Sequence, residues 1–111
     1  MSTEQNNSQV TDGQPLPDEL LKELRGSIDN LDNALISLLA ERFKVTEEIG
    51  NIKAQHGISS IDSRREGVVE KNITESAIRS QLDVDFAKKI MRVIVSEVVD
   101  RHENKKNSLT N

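Results

Sequence analysis

The chain of 111 residues has no cysteine, tryptophan or tyrosine, and only two phenylalanines, Phe43 and Phe86. Without cysteine there can be no disulfide framework, thiolate metal site or thiol nucleophile. With almost no aromatics and a formal net charge of -4, the chain offers neither the stacking platforms nor the basic face of a nucleic-acid binder. No apolar run approaches the roughly 18 residues that a membrane helix needs. The opening MSTEQNNSQVTDGQPLP carries neither a basic n-region nor an apolar h-region, so it does not read as a secretory signal, and a cytoplasmic protein is expected. The hydrophobic fraction of 34% is thin for a monomer of this length.

What is present is helical periodicity. Residues 1–16 are polar, carry Gly13 and Pro15 near their end, just before Pro17, and are expected to form a disordered leader. A flexible tail is expected over 104–111. Between them an all-α domain over 17–103 is predicted, with three helices, one of them very long. Pro17, Asp18 and Glu19 suit a helix N-terminus. From there Leu24, Ile28, Leu31, Leu35, Leu38, Val45, Ile49 and Ile52 follow at steps of 4, 3, 4, 3, 7, 4 and 3, a heptad seam with one member missing. Gly57 is the expected stop. Such a helix is roughly 55 Å long, more than a compact core of this size can cover. A second helix is expected from Asp62-Ser63 through Arg65, Val69, Ile73 and Ala77. A third follows Asp83, with Phe86, Ile90, Ile94 and Val98 on one face and His102 next in the series. Two short helices cannot cover the whole seam, so a second copy is expected to complete it as an intertwined homodimer.

The missing seam member is Arg42. An unpaired buried ion costs several kcal/mol, so Arg42 either snorkels to solvent, pairs with an acid such as Glu41 or Glu66 as a registry device, or marks an opening around an anion. Lys53 lies 11 residues on, close to three full turns, and points the same way. Arg65 shares the inward face of Val69 and Ile73. Arg25, about 100° around the helix from Arg42, cannot reach the same point within one chain but could reach a partner's site. Three inward cations, with no nucleophilic dyad, metal-ligand cluster or glycine-rich phosphate loop, point to a small di-acid held by guanidinium forks.

The segments LRGSIDNLDNALISLLAERFKVTEEIGNIKA (24–54) and IDSRREGVVEK (61–71) resemble the all-helical class of chorismate mutases, matching its L-R-x-x-I-D-x-L-D, L-L-x-E-R, following Lys and D-x-x-R-E blocks. The resemblance implies an intertwined homodimer with shared active sites and the rearrangement of chorismate to prephenate, a pericyclic reaction that needs no cofactor. Carried over by residue, Arg25 would bind a substrate carboxylate in the partner's site. Arg42 and Arg65 would serve the other carboxylate and the ether side, and Lys53 would donate to the ether oxygen. Asp62 and Glu66 would meet the ring hydroxyl and its surroundings. The third helix departs from the pattern. Val98 stands where many members have serine, and His102, with Glu103 beside it, stands where a second ether-side donor is usual. A neutral histidine can still donate one N–H. Relatives of this fold act instead as isochorismate pyruvate lyases or 4-amino-4-deoxychorismate mutases, and some short members are activated by a partner enzyme of the same pathway. The non-enzymatic alternative is a helical dimerisation or regulatory module, in which Arg42 and Lys53 are ordinary helix charges.

Overall fold

The computed structural model describes Gly13 and residues 16–110, with the side chains of 106 and 108–110 left aside. Apart from Gly13 and Leu16, the expected leader lies outside these residues. Three helices follow in order: α1 (Pro17–Gln55), α2 (Ser63–Ser80) and α3 (Val84–Thr110). Among the described residues there is no strand, so the chain is all-α as the periodicity predicts. None of the helices is long and apolar enough to cross a membrane.

Local chemistry sets each boundary. Pro17 opens α1 with Asp18 and Glu19 in its first turn, where negative charge meets the positive end of the helix dipole. The exit from α1 passes through Gly57, whose φ of +67° lies in the left-handed region that costs glycine least. Asp62 caps α2, its Oδ1 accepting the Arg65 N–H at 3.2 Å. Gln81 turns the chain in the left-handed conformation, and Leu82 N–H donates to the Ala77 carbonyl at 2.9 Å. Asp83 then caps α3, accepting from Phe86 N–H at 2.9 Å.

One boundary differs from the sequence expectation. Polar composition predicts a flexible tail from Asn104, whereas the helix α3 runs on through Thr110. The segment NKKNSLT holds neither proline nor glycine, so nothing in it breaks a helix already propagating from an apolar face. Lys105 also donates to the Asn51 side chain, tying this stretch to α1.

The chain divides into two compact units, through Ala40 and from Glu41. In the first unit none of the described residues is buried. Its seam leucines stand open, Leu31 and Leu38 each 68% exposed and Leu35 58%. In the second unit α2 and α3 pack as a hairpin on the small side chains Ala77 and Ala87, the only buried apolar residues described. Lys88 and Glu70 bridge the pair at 3.3 Å. Val45, Ile49 and Ile52 stay largely exposed here as well. The seam is therefore formed in the helix but not covered.

Candidate active site

The C-terminal part of α1 carries a stripe of functional residues. At 100° per residue, Thr46, Gly50 and Lys53 lie within about 80° of Arg42, and the stripe rises about 16 Å from Arg42 to Lys53. Arg42 and Lys53 are both half-buried. Arg42 Nη1 is buried and has no hydrogen-bond partner. The ion pairs among the described residues are Lys44–Glu41, Lys88–Glu70 and Arg101–Glu97, so Arg42 does not form the registry pair with Glu41 or Glu66. A buried guanidinium nitrogen left unpaired costs more than a paired one, and a site that binds an anion accounts for keeping it.

α3 meets this stripe through His102. The imidazole is 6% exposed, and its Nε2 lies 2.8 Å from the Thr46 carbonyl oxygen. A carbonyl only accepts, so Nε2 carries the proton and donates. Gly50 makes the contact possible. A Cβ there would tilt back toward the helix N-terminus, over the carbonyl one turn below. It would meet His102 Cδ2 in outright overlap and come within 2.8 Å of Nε2. His102 Nδ1 is also buried, and it has no partner.

The two α3 positions singled out in the sequence, Val98 and His102, line one cavity of about 340 Å³ with Thr46, Glu47, Gly50 and Arg101. Arg42, Lys53, Asp62, Arg65 and Glu66 do not line it. Arg65 and Glu66 occupy the exposed first turn of α2, positioned by the Asp62 cap, so one Asp62 oxygen already serves the backbone. Arg25 belongs to the first unit and is exposed on α1.

Sequence reasoning missed Thr46, Gly50 and the Arg101–Phe43 stack, in which the guanidinium carbon lies 4.2 Å from the ring centroid. The signal for Gly50 was its place on the Arg42–Lys53 face, where a missing side chain makes room for a neighbour.

Removing that room gives a sign test. Glycine to alanine in a helix interior gains about 1 kcal/mol by propensity, while overpacking costs about 1–3 kcal/mol. Gly50→Ala is therefore expected to lower stability in denaturant unfolding. In a His102→Ala background the same change should raise it by about 1 kcal/mol. A Gly50→Ala protein more stable than its parent would show that the interlock does not form.

The chain is all-helical, with α3 hydrogen-bonded through His102 to the α1 face that carries Arg42 and its unpartnered Nη1. The sequence profile described as chorismate mutase type II matches residues 24–103. Among relatives, the chain is 31% identical to a chorismate mutase of Methanocaldococcus jannaschii over 77 residues, covering 69% of this chain and 78% of that protein. It is 32% identical to a T-protein of Haemophilus influenzae over 79 residues, 71% of this chain but only 21% of the T-protein. A T-protein of Enterobacter agglomerans matches at 29% over 77 residues, again 21% of its length. The chain belongs to the chorismate mutase type II family, and it spans about a fifth of the T-proteins it matches.

Proposed function

We propose that this chain converts chorismate to prephenate as a homodimer with two shared active sites. The observation that carries the reading is the buried, unpartnered Arg42 Nη1 on the same helix face as Lys53, within a chain whose residues 24–103 match the family. Arg42 holds one carboxylate by a guanidinium fork. Arg25 reaches across from the partner chain to hold a carboxylate as well, and Arg65 serves the ether side. Asp62 and Glu66, at the start of α2, meet the ring hydroxyl, and Val98 lies against the ring. A cytoplasmic location belongs to the same proposal.

The rearrangement breaks a C–O bond and forms a C–C bond within one molecule, so no nucleophile or proton transfer is required. The protein contributes in two ways. Fixing the enolpyruvyl group over the ring draws on orientation, whose ceiling is roughly 7–11 kcal/mol. Lys53, aimed at the ether oxygen, meets negative charge that grows as the C–O bond lengthens, so it stabilises the transition state more than the ground state.

The test is loss of chorismate absorbance on adding the purified protein, with Lys53→Ala alongside. Removing one donor to a developing oxyanion typically costs about 10²–10³ in kcat, and a loss of that size with circular dichroism unchanged is expected. No chorismate consumption by the parent, or an equally active Lys53→Ala, would sink the reading. Isochorismate and 4-amino-4-deoxychorismate assayed in parallel separate the lyase and aminodeoxy activities.

A further inference from the structure

We propose that Lys105 is a positioning residue that braces the end of α1 carrying Lys53, so that the segment whose composition predicts a tail is a working part of the enzyme. This rests on the chorismate reading. Three side chains of α3 grip α1 in succession, all within the second unit. The Arg101 guanidinium stacks on Phe43, His102 donates to the Thr46 carbonyl, and Lys105 donates to Asn51 Oδ1. The contacts climb both helices in the same direction, and the Lys105 contact reaches furthest along α1. Lys105 itself lies outside the segment 24–103 that matches the family.

Its place matters because of how helices end. The final carbonyls of a helix lack intrahelical partners, and terminal turns open more readily than the middle. Lys53 sits in the last turn of α1. Local bonds close that turn, His56 N–H donating to the Ile52 carbonyl at 3.1 Å and Ile58 N–H to the Lys53 carbonyl at 2.8 Å. Arg101 and His102 hold α1 lower down, in the stretch just after Arg42. Of the three grips, only Lys105 reaches Asn51, where the last turn begins. A hydrogen bond donated by an ammonium is roughly twice as strong as a neutral one, and both partners are half-buried, which limits competition from water. At 100° per residue Asn51 lies about 160° around α1 from Lys53, so the brace bears on the far side of the helix. Lys105 thus steadies the backbone of the last turn without occupying the face on which Lys53 stands. Lys53 is assigned to charge that develops in the transition state, so a loosened last turn costs kcat, whereas the carboxylate arginines set KM.

The experiment is kcat and KM for chorismate in Lys105→Met, in Lys105→Arg, and in Lys105→Met combined with Lys53→Ala. Methionine keeps an unbranched apolar stem and removes the donor, while arginine retains a donor. Lys105→Met is expected to lose about tenfold in kcat with KM unchanged, less than the roughly 10²-fold that an ångström of misplacement costs. Lys105→Arg should recover most of that loss. In the Lys53→Ala background Lys105→Met should cost nothing further, because the group it positions is gone. Amide hydrogen exchange supplies a readout independent of turnover. His56 and Ile58 should exchange several-fold faster in Lys105→Met, with the α2 amides unchanged. A Lys105→Met protein with the parent's kcat, a loss that arginine does not recover, or an equal loss in the Lys53→Ala background overturns the inference and leaves the chorismate reading standing. Unchanged exchange at the end of α1 overturns it in the same way. A parent without turnover removes both. Should Lys105→Met fail to fold, Asn51→Ala removes the same bond from its other partner and faces the same criteria.

Discussion

Arg42→Leu is expected to fold at least as well as the parent and to lose chorismate turnover by about 10²-fold or more. Leucine restores the missing member of the seam between Leu38 and Val45. It also removes a buried guanidinium nitrogen that has no partner. Replacing buried charge by well-packed apolar side chains is often neutral or stabilising by about 1–4 kcal/mol. The functional loss comes from the other side of the same fact. A hydrogen bond to a charged group is worth about 1.5–3 kcal/mol, and a two-pronged carboxylate contact loses two, against 1.36 kcal/mol per tenfold in rate. Arg42→Lys keeps the charge without the fork and should fall between. Denaturant midpoints and kcat/KM measured on the same preparations check both halves. An Arg42→Leu protein that is stable and fully active would mean that Arg42 is an ordinary helix charge, as the regulatory-module alternative requires.

This opposition between stability and activity explains what the sequence made legible. The helix starts were readable because Asp62 and Asp83 cap by local geometry alone, each accepting from an N–H three residues on. Arg42 stood out because it interrupts a periodic seam. The Arg42–Lys53 alignment followed from helical spacing. The His102–Thr46–Gly50 contact was not readable, because it joins residues 56 positions apart and depends on a side chain that is absent. The sequence placed His102 correctly as the next step of the α3 stripe but could not say which nitrogen would be free. The end of α3 is hard to read from sequence for a different reason. Polar composition alone suggested an unstructured tail, whereas a helix with no breaker continues as long as something holds it, here Lys105 on Asn51.

The larger structural effect is expected from Leu35→Asp. In the first unit α1 has no described buried residue, whereas helices in proteins draw most of their stability from packing an amphipathic face. In the homodimer proposed above, the second copy covers Leu24, Ile28, Leu31, Leu35 and Leu38, which are 54–68% exposed in the single chain. Fully burying a leucine or isoleucine is worth about 1.5–3 kcal/mol, so covering the exposed half of each contributes roughly 1 kcal/mol. Summed along these five residues of each protomer, that is a substantial part of what association requires. A second copy offers the same heptad spacing, and a two-fold arrangement sets seam against seam, so one substitution enters the interface twice. An aspartate there carries a charge into the covered seam, costing several kcal/mol each time it occurs. Leu35→Asp should therefore elute with the mass of a single 12.4 kDa chain rather than twice that. It should lose helical circular dichroism corresponding to the exposed part of α1 and, on the shared-site proposal, lose the turnover that Arg25 supports across the interface. Asn33→Asp, on the opposite side of the helix, adds the same charge and should change none of these. A parent protein that is already monomeric in equilibrium sedimentation, or a Leu35→Asp protein of unchanged mass, would show that the seam is covered by something other than a second copy.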